Sequence, residues 1–395
     1  MQKPKLYLLS GSIFLSCSLI TPALANNIDQ SSIPSTTSAI TLGALDIFKP
    51  RPSGKSIRID YSVWDDALDD VILDLGQSTR NRAGKPQAQV GTRMVRGHKS
   101  AYRLEGTRFT FAYLNDEYKQ GLTDYRKDLE DIGTNYNISE LPRNEQLAYW
   151  LNLHNVAMIE QIALDYPMST PSAIKVKIDG EKYLLNDAKF MTIRGQKLSL
   201  RDIREKIVYP NWKDPNVIYG FFRGDIGSPM LPRYAYTAAD VQVTLTENAD
   251  DFVNSLRGFN LSSKTRNVSA LYEEVAPFYF KNWNSDLQTH LLSHANEEVS
   301  EEILTQKPFK IDKYDSMIGD LSGGRRLGAS GLANSNSNGN VPFEVARLLT
   351  EVRDKKQYLR ARGLINTNKG YVIIEDLVPE GTTVSTPPPT LEAPE

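Results

Sequence analysis

Cysteine is almost absent: Cys17 is the only one in 395 residues. It lies in a segment that reads as a removable export signal, so the mature chain is expected to hold no thiol. That excludes disulfides, thiolate nucleophiles and Cys-ligated zinc or iron–sulfur clusters together. A surplus of one charge is missing as well, with a formal net charge of −2. No global basic signature for nucleic acid exists, and charge as a whole selects no partner. The apolar stretch at the start is shorter than the roughly 20 residues a spanning helix needs. No internal repeat is present.

What is there begins with Lys3 and Lys5, a mostly apolar run from Leu6 to Leu19, and Pro22-Ala23-Leu24-Ala25. This is the three-part layout of a secretory signal with cleavage after Ala25. It predicts an exported protein, periplasmic or extracellular, beginning at Asn26 with no transmembrane segment left. Residues 26–56, rich in Ser, Thr, Pro and Asn, read as a disordered linker. A main domain is expected over 57–320, then a Gly/Ser/Asn-rich flexible linker over 321–340. A small helix–strand piece follows over 341–378, with its strand at Tyr371–Ile374, and a Pro-rich tail over 379–395.

Within the domain, Arg108–Leu114 alternates as a half-buried strand would. Leu147, Leu151, His154, Met158 and Ile162 mark a helix by their spacing of three and four. Ile174–Ile178, Asp179-Gly180 and Tyr183–Leu185 form a hairpin signal, and a second hairpin surrounds Arg194-Gly195. Ser199 with Asp202 can cap a helix over Leu200–Ile207. A strand and then a loop are expected over Asp214–Pro232, and helices over Ala238–Leu256, Val268–Ala276 and Ser285–Leu304. Strands grouped between helices, without steady alternation, predict an α+β fold. We expect helices on a small, mainly antiparallel sheet, one main domain with a short C-terminal extension.

The segment Arg143-Asn144-Glu145-Gln146-Leu147-Ala148-Tyr149-Trp150-Leu151-Asn152-Leu153-His154-Asn155 resembles the signature of the domain of unknown function 547 (DUF547) family, R-x-E-Q-L-A-F-W-I-N-x-Y-N. Tyr166-Pro167, Leu198–Ile203, Asp214-Pro215 and Tyr314-Asp315 resemble further family motifs, in the family's order. The resemblance implies that Arg204 stands where relatives carry Glu, Ile218 where they carry His, and Arg223 and Ser228 where they carry Cys. His154 stands where the signature has Tyr. If those family residues form a site, this chain has lost it, which implies a pseudoenzyme.

The candidate pocket residues are therefore Asn152, His154, Asn155, Arg204, Arg223, Asp225 and Ser228. Asn152 and Asn155 either orient a ligand or pair with loop backbone, the commoner use of a buried amide. His154 is expected to be a core histidine. Two close guanidiniums need anionic company, because arginine cannot shed its charge. Asp202 and Asp225 are the nearest carboxylates in sequence, and an anionic ligand is the other solution. His290 and His294 have metal-ligand spacing, but with no third ligand in sight no metal or other cofactor is expected.

The basic run of Arg80, Arg82, Lys85, Arg93, Arg96, Lys99, Arg103 and Arg108 reads either as a strip for an anionic surface or as a solvated insertion. The second is favoured because aromatics and amphipathic period are lacking. Function is expected to be non-catalytic binding of an anionic small molecule or a protein partner, with no nucleic acid. A cysteine-independent hydrolase or transferase using Ser228 or Asp225 is the alternative.

Overall fold

The computed structural model describes residues 43, 45–54, 57–88, 91, 93, 95–326 and 342–364. The signal, the strand expected at Tyr371–Ile374 and the Pro-rich tail lie outside these residues. All described residues belong to one compact unit, Leu42–Tyr371.

Helix α3 (Arg143–Asp165) is the axis of the domain. It is buried nearly all round, with Leu147 through Ile159 enclosed on every face, including the polar Asn152, His154 and Asn155. Helix α1 (Ser62–Val71) adds Trp64 and Leu68 to the core, and α2 (Asp116–Asn135) lies along α3. A Cβ on Gly133 of α2 would come 2.1 Å from Oη of Tyr149. The helices meet closely enough there that only glycine fits, and the Tyr149 hydroxyl donates to the Leu129 carbonyl at 2.8 Å.

α2 has no counterpart among the expected helices. Its start is nonetheless marked, since the Asn115 side chain accepts from the Tyr118 N–H at 2.8 Å and Asp116 and Glu117 fill the first turn. Residues 45–54, expected in the disordered linker from their composition, are tied to the domain. Phe48 is buried edge-on against Trp150, 5.2 Å between rings, and the Arg51 N–H donates to the Ser139 carbonyl.

The strands among the described residues form four small sheets. β1 (Ile72–Asp74) pairs antiparallel with β2 (Thr107–Phe109), and Phe111–Tyr113 turns into a 3₁₀-helix instead of extending the strand to Leu114. β3 (Lys175–Ile178) with β4 (Glu181–Leu184), and β5 (Met191–Ile193) with β6 (Gln196–Leu198), are the two expected hairpins. Their turns, Asp179-Gly180 and Arg194-Gly195, place both residues at positive φ, the type I′ geometry that matches strand twist. β7 (Phe259–Leu261), β8 (Arg266–Val268) and β9 (Phe309–Ile311) make the largest sheet, with β8 and β9 parallel.

A π-helix, Asp202–Val208, continues into the single turn α4 (Tyr209–Asn211). Ser199 Oγ accepts from the Asp202 N–H at 3.0 Å, and Asp202 Oδ2 from the Ser199 N–H at 3.1 Å, the reciprocal cap expected from the sequence. Pro215–Gly220 is a 3₁₀-helix where a strand was expected, with Asp214 capping the Asn216 N–H. Helices α5 (Val241–Val253) and α6 (Ala270–Tyr279) follow as expected. The single helix expected over Ser285–Leu304 is two, α7 (Trp283–Leu292) and α8 (Glu297–Ile303), because the Asn296 side chain accepts from the Val299 N–H and caps a new start at Glu297.

Helix α9 (Phe343–Ala361) covers the basic run. Arg103 pairs bidentately with Glu351 at 2.7 and 2.9 Å. Arg108 donates to the carbonyls of Tyr102, Glu105 and Thr107. Arg347 on α9 donates to the carbonyls of Gln87, Arg96 and His98. The solvated-insertion reading, and the exposed strip with it, fail for Arg103 and Arg108, which are buried. At these two positions the chain is instead a layer whose backbone carbonyls accept from arginine, while Arg82, Lys85, Arg93, Arg96 and Lys99 are exposed. Leu321 and Ser322, at the start of the expected flexible linker, are also buried. Residues 327–341 lie outside the described ones.

Candidate functional site

The polar face of α3 organises the chain from Asp214 to Tyr236. Asn152 donates to the Tyr236 carbonyl at 2.7 Å and accepts from the Tyr236 N–H at 3.0 Å. Asn155 donates to the Gly220 carbonyl at 2.9 Å and accepts from the Phe222 N–H at 3.0 Å. Each carboxamide thus completes buried backbone that no sheet satisfies, which is the backbone-pairing reading. Asn155→Ala should cost about 2–3 kcal/mol, since it strands a buried N–H and C=O together. Urea unfolding checks this, and a loss under half a kilocalorie would mean the loop is held by other groups.

Next on α3, His154 is fully buried. Its Nε2 lies 2.8 Å from Nη1 of Arg204, and its Nδ1 lies 3.2 Å from Asn155 Oδ1. A guanidinium can only donate, so Nε2 accepts and the single ring proton sits on Nδ1, shared with Asn155. Burial first, then Arg204, hold the imidazole neutral well below its ordinary range.

Arg204, on the π-helix, also donates to Asn186 Oδ1 at 3.0 Å. Burial and then Arg223 bring its pKa down to about 10, so it stays charged at neutral pH. Arg223 donates from Nη1 and Nη2 to both oxygens of Glu274 on α6, at 2.5 and 2.8 Å. Glu274 Oε1 lies 3.9 Å from Arg204 Nε. One carboxylate therefore stands between two guanidiniums. Burial acts against its ionisation, but Arg223 and then Arg204 outweigh it and hold the pKa at about 2. The Nε atoms of Arg204 and Arg223 are buried without a hydrogen-bond partner among the described residues.

The internal carboxylate is thus Glu274, and neither of the two expected residues. Asp202 instead caps Ser199 and pairs with Lys206 at 2.7 Å. Asp225 accepts from the Tyr314 hydroxyl at 2.7 Å, in a segment joined to the Asp315–Gly319 chain by backbone hydrogen bonds. Burial, above all, pushes the Asp225 carboxyl up to about 7.

Of the expected pocket, positions 154, 204 and 223 meet around Glu274. Asn155 touches the cluster through His154, whereas Asn152 faces Tyr236. Ser228 hydrogen-bonds neither Arg204 nor Arg223: its hydroxyl donates to the Asp225 carbonyl at 2.8 Å, and its own carbonyl accepts from Arg257. Among the described residues no imidazole or side-chain carboxylate hydrogen-bonds its oxygen. Ile218 is buried in the apolar core. Glu274 was missed because it lies 51 residues from Arg223 and carries no motif of its own.

His290 Nε2 meets the Tyr219 hydroxyl at 2.7 Å. His294 spans Asp250 and Asn216, at 2.7 and 2.8 Å. Among the described residues no group of three His, Cys, Asp or Glu is placed to hold a metal ion, and no helix is long and apolar enough to cross a membrane.

Fold and site together define a class: a single α+β domain whose central helix binds an irregular loop through asparagines and sets a neutral histidine beside a partly buried Arg–Glu–Arg cluster. Residues 138–253, which hold α3, both hairpins and both arginines, match the family model described as "Protein of unknown function, DUF547". Residues 138–253 thus carry that family's domain. No curated protein and no solved structure matches it.

Proposed function

We propose that this chain is an exported, non-catalytic member of the family that binds a carboxylate- or phosphate-bearing small molecule or protein partner through Arg204 and Arg223. The observation that carries the reading is the bidentate grip of Arg223 on Glu274. The two arginine side chains are 2% and 14% exposed, while the Glu274 side chain is 30% exposed. The carboxylate that neutralises them is the most accessible member of the cluster, and an anion arriving from solvent meets the same donors. Two guanidiniums against one glutamate leave the cluster one positive charge in excess, which a bound anion would balance.

Titration calorimetry with acetate and inorganic phosphate tests this. The wild type should show saturable binding, and Arg223→Cys should weaken it at least about ten-fold, the worth of a charge-assisted hydrogen bond. Equal, negligible binding by both would reduce the cluster to scaffolding.

The alternative, a cysteine-independent hydrolase or transferase, draws on Asp225, whose carboxyl near 7 suits an acid or base at neutral pH. It draws nothing from Ser228, whose hydroxyl is engaged by a backbone carbonyl. Turnover by the wild type that Asp225→Asn abolishes would favour it over binding alone.

A further inference from the structure

The hairpin β3–β4 stands apart from the sheets around it. It is two-stranded, β4 is exposed along its whole length, and in β3 Lys175 and Lys177 are exposed. In its register Lys175 faces Leu184 and Lys177 faces Lys182. Alternate residues of a strand share a side, so Lys175, Lys177, Lys182 and Leu184 occupy one face. All four are exposed.

Like charges directly opposite one another destabilise a strand pair, and here the pair is Lys177 with Lys182. Among the described residues none of the three ammonium groups has an ion-pair or hydrogen-bond partner. The acidic residues of the hairpin are turned elsewhere: Asp179 pairs with Lys197 at 3.2 Å, and Glu181 accepts from the Tyr183 hydroxyl. At its base the hairpin is anchored by the Leu185 N–H on the Ile174 carbonyl and by the buried Leu185 side chain.

We infer that this face docks on an anionic phospholipid surface, with the three lysines at headgroup phosphates and Leu184 at the headgroup boundary. Charge complementarity selects an anionic partner. Leu184, 48% exposed among the lysines, selects a lipid surface over a soluble polyanion, because an apolar side chain gains nothing against a hydrated sugar chain.

Co-sedimentation of the full chain with phosphatidylcholine vesicles, with and without phosphatidylglycerol, tests the inference. The readout is the preference for anionic over neutral vesicles, which an apolar segment common to all variants leaves unchanged. The wild type should prefer the anionic vesicles, less so in high salt. Replacing Lys175, Lys177 and Lys182 together by Gln should lower that preference on the order of a hundred-fold, and replacing them by Arg should keep it. The Gln variant should unfold at the wild-type midpoint or above it, since it removes a repulsion. Equal partition of the wild type between the two vesicle types would overturn the inference. So would an undiminished preference in the Gln variant, or tighter binding to a soluble anionic polysaccharide than to vesicles.

Discussion

Glu274→Ala should lower the unfolding free energy by about 2–4 kcal/mol. Breaking a buried ion pair by removing one partner typically costs about 3–5 kcal/mol, because the remaining charge is left without compensation. Here two guanidiniums are stranded, and neither can neutralise itself by losing a proton. The 30% exposure of the Glu274 side chain lets water screen part of the loss, which brings the figure down. The effect has a pH signature. The Glu274 pKa falls from an ordinary 4.5 to about 2 on folding. Its contribution is fully present above about 4.5 and is lost as pH falls toward 2. Wild type and variant should therefore converge in acid and separate above pH 5, by urea unfolding at each pH. A constant gap across that range would show that the loss is packing and not charge.

Asp225 gives the opposite slope. Its carboxyl rises from an ordinary 3.8 to about 7, so the folded state prefers it protonated. That preference stabilises fully below about pH 4 and disappears as pH rises through 7. Asp225→Asn keeps the shape and an acceptor for the Tyr314 hydroxyl while removing the charge. The variant should match the wild type near pH 4 and exceed its stability by about 2–4 kcal/mol at pH 8, from a shift of about three pKa units at 1.36 kcal/mol each. Denaturant midpoints from pH 4 to 8 decide it. A variant equally or less stable at pH 8 would mean that Arg223 neutralises the carboxylate in place.

Where structure is local, the sequence is legible. Asp179-Gly180 and Arg194-Gly195 announce tight turns because few other residues tolerate positive φ, and both hairpins close there. Ser199 and Asp202 announce a helix start because they sit three residues apart, the reach of a reciprocal cap. The periodicity of α3 gives its existence, though not that all its faces are buried. Illegibility grows with distance along the chain. Phe48 is one aromatic in a polar segment, and only Trp150, about a hundred residues on, explains it. The cap at Asn115 and the acidic first turn of α2 are local signals too, but charge dominates that stretch and hides its apolar period.

The candidate site follows the same division. That Arg204 and Arg223 would converge could be reasoned from the resemblance, and that buried guanidiniums need an anion follows from arginine chemistry alone. Which anion could not be read. Asp202 and Asp225 are nearer in sequence, but the first is consumed by its own helix cap and the second points to Tyr314. Asn152 and Asn155 look like ligand-orienting amides only until the loop they hold is known to lack a sheet's hydrogen bonds. His154 is fixed as a neutral, Nδ1-protonated ring by neighbours 1 and 50 residues away, and a sequence shows only the first.

On the proposed function, Arg204 and Arg223 together form a receptor for a carboxylate, with Glu274 as the resident one. Chemical rescue tests it most directly: the thermal midpoint of Glu274→Ala is followed as acetate is added at constant ionic strength, beside the wild type and beside Glu274→Ala with Arg223→Cys. A receptor predicts that acetate raises the midpoint of Glu274→Ala saturably, by several degrees more than that of the wild type, and that the double variant does not respond. Identical responses to acetate in all three proteins would contradict the claim.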